Sequence, residues 1–283
     1  MKTISLMLST TPSASPFAVV TGASLGLGKS IACELAERGY SLLLVSLPGE
    51  GLPALCNEIT QQFGVSAIPF ETNITNSTEL TELLNTINTN YRVEILVNNA
   101  GIGVSGGFEG TDSEKIIGLL RLNIEALVLI THGLIPNLKR QSKSYILNIS
   151  SMAAYSPIGY KTVYPASKAF VYSFSRGLNA ELREFGIQVT VANLGPMRTN
   201  AAVIERINGH NALIRSTVKE PAEVAKICIR RLFRGRKVIM INYLSYLFLK
   251  FTPSSIRIPM LTKHAKKECL SDVLTIKGLQ ETL

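Results

Sequence analysis

"VVTGASLGLGKS", residues 19–30, is the stretch on which the fold turns. Apolar β-branched residues run into Gly22, Gly26 and Gly28, and a helix-length segment, "GLGKSIACELAERG", follows. A strand that meets a helix through glycines gives the backbone room for a tight turn. Main-chain N–H groups at such a helix start can approach a pyrophosphate, and the helix dipole favours the anion. The alternative is that these glycines only let a helix pack closely on a sheet. The strand-turn-helix context favours the binding turn.

The rest of the chain repeats this alternation. Short apolar runs at 17–20, 41–46, 65–70, 93–99, 144–150, 187–194 and 237–242 read as strands. They are apolar nearly throughout, as strands covered on both faces should be. Helical patterns lie between them. Gly39 and Gly64 are suited to close two of these helices. Asn76 with Glu79 resembles a capping box, and Pro221 fits an early helical position. Such alternation predicts a parallel sheet with helices on both faces. The expected organisation is a leader over 1–16, one domain over 17–242 and a C-terminal extension over 243–283.

Composition narrows the function. The 283 residues are 46% hydrophobic and 17% charged, a globular balance, with a net charge of +9. The excess sits late, in "IRRLFRGRK" (229–237) and "KHAKK" (263–267). A basic surface suits nucleic acid, anionic lipid or a phosphorylated ligand. No nucleic-acid-binding signature accompanies it, so nucleic acid is not expected as a partner. Cys33, Cys56, Cys228 and Cys269 are widely spaced, which argues against a zinc site or a disulfide framework. No metal is expected. No stretch reaches about 18 uninterrupted apolar residues. A cytoplasmic location follows, or one peripheral to a membrane. The run "YLSYLFLKFTPSSIRIPML" (243–261) fits an extra helix packed on the core. The competing expectation is contact with an anionic membrane through 243–267.

"YPASKAF", residues 164–170, holds the second signal. Tyr164 and Lys168 are four apart, so on a helix both project from one face. A tyrosine titrates near 10, and a neighbouring ammonium favours its phenolate and brings that value toward working range. The same spacing occurs on many solvated helix faces, so the pair needs company to mean chemistry.

That company comes from several separated motifs. The pattern T-G-x-x-x-G-x-G at 21–28, "NNAG" at 98–101, Asn123, "NISS" at 148–151, "YPASK" at 164–168 and "LGPMRT" at 194–199 stand in order. Together they resemble the short-chain dehydrogenase/reductase family over about residues 17–242. Leu194 departs from the proline usual in the last motif. The resemblance implies a single doubly wound Rossmann-type α/β domain with a mostly seven-stranded parallel sheet.

It also implies an oxidoreductase that uses NADP or NAD on a small carbonyl or alcohol substrate, in a homodimer or homotetramer. Tyr164 would be the general acid/base, Lys168 its tuning cation and a ribose ligand, and Ser151 the donor to the substrate oxygen. Asn123 would hold a relay water. Ser150 is the neighbouring rival to Ser151. Gly22, Ser24, Gly26, Leu27 and Gly28 would line the pyrophosphate turn. Ser46, Asn73, Asn99, Ala100, Gly101 and Thr199 would complete the cofactor cleft with Tyr164 and Lys168. Neither Ser46 nor Leu47 is acidic and neither Leu47 nor Leu25 is basic, so both usual markers of dinucleotide preference are missing. Ser46 as a phosphate donor and Lys29 nearby favour NADP, while Glu50 would reach the ribose if its loop folds back. His210 is read as a solvated loop side chain. A tail of this kind suggests an apolar, acyl- or steroid-like substrate. Two rival readings are a dinucleotide-binding regulator with little turnover and a sugar-nucleotide epimerase.

Overall fold

The computed structural model describes residues 16–197 and 218–280, with 271–280 as backbone only. Seven parallel strands form one sheet in the order β3-β2-β1-β4-β5-β6-β7. They are β1 (Phe17–Thr21), β2 (Ser41–Ser46), β3 (Ala67–Glu71), β4 (Val93–Asn98), β5 (Ser144–Ser151), β6 (Ile187–Leu194) and β7 (Val238–Met240). The order reverses between β1 and β4, which opens a crevice at the C-terminal ends of those strands. In doubly wound sheets ligands bind there.

Successive strand residues point to opposite faces, and the chain fills both with apolar side chains. Ala18, Val20, Leu42, Leu44, Ile95 and Val97 pack under α1 (Gly26–Glu37), α2 (Leu52–Phe63) and α7 (Pro221–Phe233). Val19, Leu43, Leu96, Ile146 and Val189 pack under α3 (Ser77–Asn90) and α5 (Leu127–Leu138). Cys56 and Cys228 belong to the first of these cores, as small apolar residues would. The sheet and its helical layers agree with the sequence reading.

Differences lie at the element ends. The third strand starts at Ala67 rather than residue 65, because Gly64 ends α2 in a left-handed turn at φ 68°. The last strand stops at Met240, because Asn242 caps α8 (Tyr243–Phe251) by accepting a bond from the Ser245 N–H. At α3, Asn76 accepts from the Thr78 and Glu79 N–H groups. Glu79 bonds the Asn73 N–H at 2.7 Å instead of closing a capping box.

The long apolar segment forms α4 (Ser113–Leu120), a π-helical turn (Arg121–Ala126) and α5 without a break. Ser113–Leu138 is long and apolar enough to cross a membrane by length and composition. Here Leu119, Ile130, Leu134 and Leu138 are buried, while Ile117, Leu120 and Leu129 are exposed.

After β7 come α8 and α9 (Ser254–Gln280). They pack on the segment that leads into α6 (Val163–Leu182). Thr262 Oγ1 accepts from the Gly159 N–H at 2.9 Å, Lys161 pairs with Glu268 at 2.5 Å, and Arg257 Nε donates to Ser156 Oγ at 3.1 Å. Leu249 and Ala265 are buried, whereas Leu244, Phe248 and Phe251 face outward from one side of α8.

One buried amide holds the start of β4. Asn137 Oδ1 accepts from the Val93 N–H at 3.0 Å, and its Nδ2 donates to the Tyr91 carbonyl at 2.9 Å. Asn137→Ala strands both backbone groups. It should lower the unfolding free energy by about 2–3 kcal/mol in urea titration. A loss under about 0.5 kcal/mol would contradict this account of the β4 start.

Candidate active site

The glycine turn joins β1 to α1 in a form that only glycine fits. Gly22 has φ +62°, and a Cβ there would lie 2.9 Å from the Ala100 Cα. A Cβ on Gly28 would collide with the Gly22 carbonyl and lie 2.7 Å from Asn99 Nδ2. The turn is fastened to the end of β4. Asn99 Nδ2 donates to the carbonyls of Thr21 at 3.0 Å and Gly22 at 2.9 Å. Thr21 Oγ1 accepts from the Asn99 and Ala100 N–H groups, each at 3.1 Å. Asn99 therefore shapes the turn through its side chain. No side chain caps α1, so its first N–H groups face the crevice, where they suit an anion.

Beside the turn, Gly101 brings two other elements together. A Cβ on it would lie 3.1 Å from Asn123 Oδ1 and 3.2 Å from Lys168 Nζ. Asn123 sits on the π-helical turn and is buried. It accepts from the Ile102 N–H at 2.9 Å and donates to the Ile102 carbonyl at 2.9 Å and to Ser167 Oγ at 3.1 Å. Insertions of this kind often mark functional positions. Nothing in the sequence pattern signals the widened turn.

Lys168 and Tyr164 both come from the first turns of α6. Lys168 is only 6% exposed, and its Nζ donates to the Ile149 carbonyl at 3.2 Å. Its nitrogen lies 5.8 Å from the Tyr164 ring centroid. Gly103, on the loop after β4, packs against that ring. Ser151, at the end of β5, accepts from the Ala153 N–H at 3.1 Å and lies beside the Tyr164 phenol, whose value it lowers. Its neighbour Ser150 is committed elsewhere, since its Oγ donates to the Lys168 carbonyl at 2.8 Å. The two serines thus separate into one that faces the phenol and one that anchors the helix. Asn123, Ser151, Tyr164 and Lys168 converge at the C-terminal ends of β4 and β5.

Burial governs the ionisation here. It holds the Tyr164 phenol above its ordinary value, opposed by the Ser151 hydroxyl. It draws the Lys168 ammonium down to about 8. In this state burial outweighs any lowering of the phenol. The ammonium is directed at Ile149 rather than at the hydroxyl, and desolvation prevails. The folded Lys168 value lies below its unfolded one of 10.5. Its buried charge therefore opposes folding below pH 8, and that penalty fades as pH rises toward 10.5.

Other expected cofactor residues fare unevenly. Leu27 buries its side chain in the core, so only its backbone faces the turn. Ser46 is 5% exposed and its hydroxyl donates to the Leu47 carbonyl at 3.1 Å, so it is not placed to hold a phosphate. Lys29 pairs with Glu58 at 3.5 Å. Asn73 Oδ1 is engaged by the Thr75 N–H at 3.1 Å and the Thr75 hydroxyl at 2.8 Å. Ser24 donates to Glu50 at 2.5 Å, so the loop after β2 does fold back. Thr199 and His210 lie outside the described residues. The sequence reading missed the parts played by Thr21 and Ser167. Thr21, as the first letter of the turn motif, was the more visible of the two.

Comparison with known proteins identifies the family. The short chain dehydrogenase family model matches residues 16–207. The chain belongs to the short-chain dehydrogenase/reductase family of oxidoreductases. It is 37% identical over 182 residues to a very-long-chain 3-oxoacyl-CoA reductase from Anas platyrhynchos. That match covers 63% of this chain and spans 58% of the duck protein. A Sphingobium yanoikuyae short-chain dehydrogenase in complex with NADPH superposes with a TM-score of 0.73 at 29% identity. It covers 83% of this chain and 92% of its own. The bulky-bulky ketone specific alcohol dehydrogenase of Comamonas testosteroni gives a TM-score of 0.72 at 28% identity, covering 81% and 87% respectively.

The two serines offer a direct contrast. Ser150→Ala should cost about 1 kcal/mol of stability through its lost buried hydrogen bond. It should keep turnover within about tenfold of wild type. Ser151→Ala should lower turnover by about 100-fold. Parallel urea unfolding and steady-state assays read both, and the reverse order of effects would contradict the assignment.

Proposed function

We propose that this chain is a nicotinamide-dinucleotide-dependent carbonyl reductase acting on an apolar ketone or aldehyde. The observation that carries this reading is the neutral phenol of Tyr164, buried beside Ser151 and close to the Lys168 ammonium. A phenol protonated at neutral pH can give its proton to a carbonyl oxygen as hydride arrives.

The residues present fit a dinucleotide. Gly22 and Gly28 let the turn close onto Asn99 and Ala100 with no side chain toward the α1 start, and Gly101 lets the loop approach Asn123 and Lys168. When bound, the dinucleotide supplies the hydride. Gly22, Gly26 and Gly28 would cradle its pyrophosphate at the start of α1. Lys168 would hold a ribose hydroxyl and stabilise the phenolate left when Tyr164 gives up its proton. Ser151 and Tyr164 present two donors to the oxygen that gains charge. Asn123, fixed to both Ile102 backbone groups, supports the route by which Tyr164 regains a proton.

NADP(H) is supported by the cofactor of the Sphingobium neighbour and by the lack of an acid at Ser46 or Leu47. An apolar substrate is supported by Ile102 and Phe108, exposed on the loop that passes Tyr164. The names of the duck and Comamonas relatives point the same way, toward acyl or bulky ketone carbonyls.

Purified protein can be screened with 3-oxoacyl thioesters and bulky ketones while NADPH and NADH absorbance is followed. With any substrate found, Tyr164→Phe should lower kcat by about 100- to 10,000-fold while dinucleotide still binds. Near-normal turnover in that variant would reject the role given to Tyr164.

A further inference from the structure

The last two helices carry an apolar face that the described residues leave uncovered. On α8, Leu244, Phe248 and Phe251 recur at i, i+4 and i+7, so they share one side. They are 79%, 41% and 71% exposed. The opposite side holds the helix in place. Leu249 is buried, the Tyr246 ring packs edge-on against Tyr155 at 5.2 Å, and Arg257 donates to the Leu249 carbonyl. The outward side therefore belongs to a helix that is seated on the domain.

Only Thr252 and Pro253 separate α8 from α9. On α9, Ile256 and Met260 are exposed, and the same helical stripe continues through Lys263 and Lys267 to Leu270, all exposed. Lys250 and Lys266 are exposed beside them. Over residues 243–270 the cations Lys250, Arg257, Lys263, Lys266 and Lys267 stand against a single acid, Glu268. The Glu268 side chain is 14% exposed and pairs with Lys161, so it does not offset the outer lysines.

We propose that α8 and the first turns of α9 dock this protein peripherally onto an anionic lipid bilayer. Leu244, Phe248, Phe251, Ile256 and Met260 enter the boundary between headgroups and acyl chains, while Lys250, Lys263, Lys266 and Lys267 meet the anionic headgroups. Charge decides the occupant of this face. A second copy, meeting it in a two-fold contact, would set these lysines against one another, with no acid among residues 243–267 to pair them. An anionic leaflet takes up the same charge favourably. None of these residues belongs to the catalytic or cofactor set, so docking does not depend on the dinucleotide reading.

Flotation of the full chain with lipid vesicles tests this. Phosphatidylcholine vesicles with about one-third phosphatidylserine should carry the protein, and pure phosphatidylcholine should carry about tenfold less. Leu244→Ser, Phe248→Ser and Phe251→Ser combined should abolish binding, with folding checked by thermal melting. Lys263→Gln, Lys266→Gln and Lys267→Gln combined should weaken binding to the anionic vesicles by about 100-fold. This second variant alters only exposed charges, and it decides the matter if the first does not fold. Phe185→Ser, at an exposed ring beside Lys139 on another surface, should leave binding within about twofold. Absence of flotation for the wild type, or undiminished flotation of either folded triple variant, would overturn docking on lipid. So would a serine variant that turns a dimer into a monomer in light scattering while flotation is unchanged, since the face would then belong to a second copy.

Discussion

A lysine ammonium held out of water is the constraint around which this site is built. Lys168 has one backbone carbonyl, that of Ile149, as its hydrogen-bond acceptor. An ion in that position is unfavourable unless its surroundings are fixed. They are fixed from three directions. Ser150 ties the lysine's own carbonyl to β5, Gly101 leaves room that any side chain would fill, and Asn123 grips the backbone next to Gly101. The ends of β4 and β5, the start of α6 and the π-helical turn are thereby held in one arrangement.

The same burial divides labour between two titrating groups. Desolvation favours the neutral form of each, so it raises the phenol and lowers the ammonium. At neutral pH Tyr164 keeps its proton and Lys168 keeps its charge. Loss of the phenolic proton would place an anion near a cation in a dry setting, where their attraction is strong. The lysine therefore matters more once the tyrosine has donated than before it does.

Much of this was legible in the sequence, for reasons that are local. Strands covered on both faces write themselves as apolar runs, and the glycine turn announces its backbone requirement. The spacing of Tyr164 and Lys168 places both on one helical face. Other features depend on tertiary contact and leave little trace. The π-helical turn at Asn123 looks like ordinary helix in sequence. Ser150 and Ser151 are adjacent and alike, and only the position of α6 assigns them different partners. Ser46 reads as a free donor until β2 is buried in the sheet. The return of Glu50 to Ser24 depends on two glycines whose left-handed turns no spacing rule specifies. The grip of α9 on residues 156–161 joins parts of the chain about 100 positions apart, beyond any periodicity argument.

The central claim concerns the state of one nitrogen, and nuclear magnetic resonance of isotope-labelled lysine can observe it directly. The Lys168 side chain, assigned by its loss in Lys168→Met, should titrate at about 8 in the folded protein. A midpoint at the ordinary lysine value of 10.5 would mean that the ammonium is solvated, and the account of the site built on its burial would be wrong.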